Sequence, residues 1–242
     1  MTADEFAVTD RTRVRRKPMR ATYDRQTLYA ILDEALIASV AVVIDGHPRV
    51  QPMIHARVGD TIILHGLATN RLLTTLAGGA ELCLNVTLLD ALVVARKIED
   101  HSMLYRSVTL YGRAREIGDP ATKLATMERV FASLVGRDRF ATLPPLNPAY
   151  LKGTMVLELP IVEAVGKVNR EVPTDEGADG IWSGTVPLRL AASAPRPDGR
   201  TKAEGLRPDV MLIDYRRPRP SDEKGRPLAE PPLPSMGASR HP

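Results

Sequence analysis

Residues 39–66, "SVAVVIDGHPRVQPMIHARVGDTIILHG", constrain the fold more than any other stretch. Short runs rich in Val and Ile are cut by Asp45-Gly46 and by Gly59-Asp60, pairs that favour tight turns because Gly and Asp tolerate a left-handed backbone. Strands joined by turns too short for a crossover must run antiparallel. The sheet therefore begins as a meander and not as a βαβ unit.

Helices interrupt this pattern at readable places. Leu28, Ile31, Leu32, Ala35 and Leu36 recur at helical spacing, with Asp24 placed to cap the first turn. A short helix is expected in "NRLLTTLAGG", capped by Thr69 or Asn70 and stopped at Gly78 or Gly79. Asp119-Pro120 opens another over about residues 120 to 135, where Leu124, Met127, Phe131 and Leu134 share a face. Further strands are expected in "AELCLNVTLL", "ALVVARKI" and "SMLYRSVTLYGRAREI". "TMVLELPIVEAVGKV" reads as one last long strand with a bulge or edge position at Pro160. About six antiparallel strands with flanking helices make a mainly β fold with α, a small closed or half-closed barrel. The chain divides into a basic arm (residues 1–20), a barrel domain (21–190) and a Pro-rich extension (191–242) whose end, 216–242, cannot bury a core. "VMLIDY" within that extension is a short strand or a docking segment.

Charge narrows the partners. The balance of 33 Lys+Arg against 29 Asp+Glu is mild for a nucleic-acid binder, and six basic side chains cluster in "RTRVRRKPMR", read first as a solvated arm and second as an arm for nucleic acid or an acidic surface. Cys83 is the single cysteine, expected as a buried thiol, so intramolecular disulfides and Cys-based metal clusters are excluded. No apolar run reaches the ~18 residues of a membrane span, and the charged N-terminus does not resemble a secretory signal, so a cytoplasmic protein is expected.

Hydrolase, Walker-type and dinucleotide-fingerprint motifs are absent. No metal site is expected, although His55 and His65 could meet across neighbouring strands. What remains suits a phosphorylated planar ligand. Thr69, Asn70 and Arg71 stand at a helix start, where an anion is favoured, or form an ordinary surface helix end. Arg106 lies among Leu104, Val108 and Leu110 on one strand face, so it meets an anionic ligand or pairs with an acid such as Asp90 or Asp100. Ser107 follows it. His65 is either a hydrogen-bonded strand-end histidine or reactive, and Trp182, the single tryptophan, packs or stacks on a ligand.

Taken in order, "RATYDRQTLYAILDEA", the meander, "TNRLL", "VTLLDALVVARKIEDHSMLYRSVTLYGRARE", "GKVNREVP" and "IWSGTVPL" resemble the pyridoxamine 5'-phosphate oxidase-like, FMN-binding split-barrel superfamily over about residues 11–190. The similarity is greatest to its flavin-nucleotide-binding branch, which includes nitroimidazole-resistance proteins. Tyr105-Arg106-Ser107-Val108 and His65-Gly66 are the most specific parts. The resemblance implies a six-stranded split barrel that dimerises, with FMN sites at the subunit interface. Thr69, Asn70, Arg71 and Leu72 would hold the flavin phosphate, while the backbone of Val50, Gln51, Pro52 and Met53 would run beside the ring. Ser107 would lie close to the cofactor, Arg106 in the wall, and Lys167 and Trp182 would reach the partner's site. His65 matches a histidine near the flavin and becomes the candidate catalytic residue. One departure is visible: related sequences commonly carry Asp-Gly-Leu and then Ala-Arg-Ser where this chain has Asp90-Ala91-Leu92 and Ala95-Arg96-Lys97.

The implied activity is an FMN-dependent oxidoreductase passing electrons to a small organic molecule. The alternatives are a deazaflavin F420-dependent reductase on the same fold and a flavin or haem module without turnover, with His55, His65 and His101 as candidate haem ligands. An interaction protein acting through its basic arm and proline-rich tail is the last.

Overall fold

A computed structural model describes residues 4–173, 176–213 and 215. The expectation for 216–242 lies outside these residues. Ten strands and seven helices are present among them. The first part of the chain gives β1 (Ala21–Thr22), α1 (Arg25–Glu34), β2 (Ile37–Ile44), β3 (His47–Val58), β4 (Thr61–Leu67) and α2 (Arg71–Ala77). Next come β5 (Glu81–Val94), β6 (Ser102–Arg113), β7 (Arg115–Glu116), α3 (Pro120–Val135), α4 (Arg137–Ala141) and α5 (Pro148–Gly153). The chain continues with β8 (Thr154–Pro160), β9 (Glu163–Asn169), β10 (Gly184–Pro187), α6 (Gly199–Ala203) and α7 (Val210–Ile213).

All pairings are antiparallel and follow the order β1-β9-β6-β5-β2-β3-β4-β8-β7, with β10 added beside β5. No pairing among the described residues joins the two ends, so the sheet is a split barrel and is not closed. The split runs through β3: residues 47–54 pair with β2, and only residues 55–58 pair with β4. The edge of residues 47–54 away from β2 thus carries no strand.

Alternation along β2 separates two environments. Ala38, Val40, Val42 and Ile44 are buried on the inner face. There they join Leu28, Ile31 and Leu32 of α1, Leu72, Leu73 and Leu76 of α2, and Leu84, Leu110 and Leu157 of the sheet. A smaller cluster of Ile63, Met127, Val130 and Val156 fixes α3 against the opposite face of β4 and β8. Asp24 caps α1 by accepting from Thr27 N, and Asp119 caps α3 by accepting from Thr122 N.

Three expectations are corrected. "AELCLNVTLL" and "ALVVARKI" form one strand, because a register shift between Leu89 and Ala91 absorbs Asp90 as a bulge. The strand expected around Pro160 is two strands on distant parts of the sheet: β8 lies beside β4 and β9 beside β6. The corner between them is held where Ile161 N donates to Asp60 O at 2.8 Å. The basic arm is docked in part, with Arg13, Arg15 and Arg16 left exposed. Phe6 is buried in the main core and Thr12 is buried too, while Arg11 pairs with Glu163 and Glu81, and Lys17 and Arg20 pair with Glu171. These acids serve Arg11, Lys17 and Arg20, and Glu171 is held down at a pKa of about 2 by Arg20 and Lys17. Within "VMLIDY", Val210–Ile213 form α7, and Tyr215 Oη donates to Leu134 O at 2.7 Å, with an Asp209–Arg139 pair just before the helix.

Candidate functional site

A cleft of about 450 Å³ opens where the free edge of β3 meets the start of α2, lined by Ile44, Arg49, Val50, Gln51, Asn70, Arg71 and Leu72. Its size falls within the ~300–1,000 Å³ of small-molecule sites. Val50, Gln51, Asn70, Arg71 and Leu72, expected together from the sequence, meet here. Pro52 and Met53 continue β3 from the cleft, Pro52 exposed and Met53 turned into the core, and Thr69 lies in the exposed turn before α2.

The helix start is capped by Asn70, one of the two residues expected in that role. Asn70 Oδ1 accepts from Leu72 N at 2.9 Å and from Leu73 N at 3.2 Å, so the first-turn amides are already capped by the chain itself. The charge available to a ligand comes from side chains instead. Arg49 faces the cleft from β3, and Arg71 reaches over it while bonded to Asp45 of the β2–β3 turn. Asn70 Nδ2 stands 3.4 Å from Gln51 Oε1, which leaves that amide pair loosely joined across the floor. Sequence reasoning missed Arg49 and Ile44. Arg49 shares period-two parity with Gln51, and that was the signal that could have found it.

Ser107 and Lys167 are neighbours elsewhere on the sheet: they are register partners, and Ser107 Oγ donates to Lys167 O at 3.3 Å. Both belong to the outer face, which they share with Val50 and Pro52. The register fixes this, since Ala41 pairs with Val50 and Cys83, Ser39 with Pro52 and Asn85, and Thr87 with Ser107. β3 and β6 are nevertheless three strand spacings apart, about 14 Å at ~4.8 Å each.

That outer face is also where exposed apolar side chains collect. Ile37, Val43, Val50, Ile54, Leu89, Leu92, Met103 and Val186 lie on it, ranging from 41% exposed at Val186 to 66% at Val50. Alternation normally puts polar residues on a solvated sheet face, so an apolar one calls for a covering surface.

The remaining expected residues stand apart from the cleft. Arg106 is held by acids: Nε and Nη2 donate to Asp90 at 2.8–3.2 Å, and Nη1 and Nη2 donate to Glu34 at 2.7 and 2.9 Å. His65 turns toward α3, its ring 6.0 Å from Phe131, and burial pushes its pKa below the usual value. Its Nδ1 has no hydrogen-bond partner among the described residues. His55 pairs with Leu64 and lies on the opposite face of the sheet from His65, fully buried with Nε2 2.9 Å from Leu32 O. The two histidines therefore cannot share a metal. Exposed His101 sets Nδ1 3.0 Å from Lys97 O. Trp182 is 63% exposed beside Gly184, at the start of β10. No helix among the described residues is long and apolar enough to cross a membrane.

Comparison with known proteins places this geometry. The family model described as pyridoxamine 5'-phosphate oxidase matches residues 24–168. The flavocytochrome Anf3 from Azotobacter vinelandii is 36% identical with a TM-score of 0.74, covering 79% of this chain and 90% of that one. The FAD and haem binding protein from Mycobacterium smegmatis is 32% identical with a TM-score of 0.75, covering 81% of this chain and 99% of that one. A 5-nitroimidazole antibiotic resistance protein from Bacteroides thetaiotaomicron is 21% identical, with a TM-score of 0.49 over 61% of this chain and 86% of that one. No curated protein matches.

Proposed function

The chain belongs to the pyridoxamine 5'-phosphate oxidase family, and from that premise we propose that it is an FMN-binding oxidoreductase, moving electrons between a reduced donor and a small organic acceptor. The observation that carries this reading is the single outer face that bears the exposed apolar residues, the cleft's Val50, and Ser107 with Lys167. One chain holds these halves about 14 Å apart. A two-fold partner laid on the face buries its apolar side chains and sets Ser107 and Lys167 of one copy against the cleft of the other, which makes the protein a homodimer with two shared sites.

The residues present fit a flavin nucleotide. The strandless edge of β3 offers backbone groups to a planar heterocycle, and Pro48 and Pro52, lacking N–H groups, discourage another strand from pairing there. Arg49 and Arg71 supply positive charge for a phosphate, and Asn70 and Gln51 supply neutral donors beside it. The flavin itself, once bound, supplies the one- and two-electron chemistry. The protein's part is to hold the phosphate, align the ring along β3 and exclude water through the partner. His65 lies outside this set, so turnover does not depend on it.

A second reading adds haem. It is favoured by the two relatives at 36% and 32% identity, one named a flavocytochrome and the other a FAD and haem binding protein. Buried His55 is withdrawn from any such ligand set, leaving His65 and His101. Titration of stripped protein with FMN, with FAD, F420 and haem in parallel, tests both readings. Saturation by FMN at one equivalent per chain is expected, with Arg71→Ala weakening FMN far more than riboflavin. Equal losses for the two ligands contradict the phosphate assignment, and a Soret band with no flavin binding replaces the first reading by the second.

A further inference from the structure

One contact at the cleft works against the ligand proposed for it. Asp45, at the tip of the β2–β3 hairpin, holds Arg71 in an ion pair whose two side chains are 72% and 67% exposed. The turn fixes the acid in place: Asp45 has φ 53° and Gly46 φ 76°, the two left-handed positions of a tight hairpin turn. Ile44 and Arg49, on either side of this turn, both line the cleft. The formal charges at its mouth are thus Arg49, Arg71 and Asp45, a net of one positive.

That net charge does not match every flavin nucleotide equally. A terminal phosphate monoester carries between one and two negative charges at neutral pH, whereas each phosphate of a diphosphate linkage carries one. Building on the flavin reading, we propose that Asp45 is a specificity-determining residue that disfavours the monoester of FMN relative to the diphosphate of a flavin dinucleotide. An exposed ion pair is weak, so an incoming phosphate displaces the carboxylate from Arg71. The hairpin then keeps the carboxylate close by, where it repels the additional negative charge of a monoester. A singly charged phosphate meets only about half that repulsion.

The test compares wild type with Asp45→Asn and Asp45→Gly, both tolerated at a left-handed turn position. FMN, FAD and riboflavin are titrated at low salt by quenching of flavin fluorescence. Both variants are expected to bind FMN about five-fold more tightly, the size of a doubly charged phosphate meeting one carboxylate at about 8 Å in a water-like dielectric. FAD should tighten by only about two-fold and riboflavin not at all, and the FMN gain should shrink at high salt. An unchanged FMN-to-FAD ratio in both variants, with all three proteins binding flavin, overturns the role of Asp45 alone. Failure of every flavin to saturate any of the three proteins overturns the flavin reading and this proposal with it.

Discussion

Arg106→Met separates a structural arginine from a cofactor-binding one, and its cost can be worked from the contacts. The guanidinium is 18% exposed, and of its two acids Asp90 is 24% exposed and Glu34 52%. Charge-assisted hydrogen bonds that are partly shielded from water contribute about 1.5 kcal/mol or somewhat more, which is the weight assigned to the Asp90 limb. The Glu34 limb stands in solvent and is worth about 0.5 kcal/mol. Methionine keeps the aliphatic stem of the side chain, so packing loss is small, and the total comes to about 2 kcal/mol. For a chain of this size that lowers Tm by about 4–8 °C. Glu34→Gln should cost only about 1–2 °C, because it removes the exposed limb alone. The assay is calorimetric melting of cofactor-free protein, paired with FMN titration well below Tm. FMN affinity should change by less than about two-fold, since Arg106 spends its donors on Asp90 and Glu34 and lies outside the cleft. A Tm for Arg106→Met within about 1 °C of wild type, or a Glu34→Gln loss as large as that of Arg106→Met, would refute the apportioning. A ten-fold loss of FMN affinity at unchanged Tm would return Arg106 to the cofactor wall.

Three other outcomes follow from named contacts. Burial depresses the pKa of His65 below its usual 6.5, so the unfolded chain binds its proton first; stability is complete above about pH 6.5 and declines as pH falls below it. His65→Gln should flatten the fall in Tm between about pH 7 and 5.5 while leaving turnover intact, and an unchanged slope contradicts the assignment. Phe6→Ala removes a side chain buried to 3% exposure, edge-on to Tyr29 at 6.1 Å and under Arg25 at 4.1 Å. It should destabilise the fold by about 3 kcal/mol, and a denaturant midpoint equal to wild type would show that the arm is dispensable. Leu92→Glu puts a charge in the middle of the apolar outer face, beside Met103 and Val186. Sedimentation should show a monomer with weakened FMN binding, whereas a wild-type dimer would place the interface elsewhere.

Local signals were legible where one short stretch decides the outcome. Asp45-Gly46, the Asp24 cap, the Asn70 cap and Asp119-Pro120 each act within a few residues, and each element they announce is present. Pro160 could not be read correctly, because the choice between a bulge and a corner depends on which distant strands β8 and β9 meet. Asp90 shows the same limit. Its pairing with Arg106 was one of two the sequence offered, but the bulge that joins two expected strands into one depends on the register against β6. The docked arm was hidden differently: Phe6-Ala7-Val8 is a short apolar island in a polar stretch, too short for periodicity to work on. At the cleft, residue types were readable but their commitments were not. Asn70 as a cap is the exception; nothing in "TNRLL" shows that Arg71 leans on Asp45.

Those commitments bear on how the site is built. With the amides of Leu72 and Leu73 already capped, the helix start is stable without a ligand, so the cleft can exist before any cofactor arrives. The edge of β3 is likewise kept free by sequence, since Pro48 and Pro52 weaken it as a template for another strand. On the proposed reading a preformed cleft on an unpaired edge is half a site, because Ser107 sits about 14 Å away on β6, and Lys167 one strand further on β9, on the same apolar face. The most direct way for one sequence to cover that face and bring the halves together is to use it twice, about a two-fold axis. Cofactor binding and dimerisation then draw on the same surface, and ligand that binds only the paired form stabilises the pair by mass action. FMN should therefore tighten the dimer of wild-type protein, measured as a lower dissociation constant in sedimentation at saturating FMN. Riboflavin, which lacks the phosphate, should do so less, and an FMN-independent dimer constant would separate the two processes.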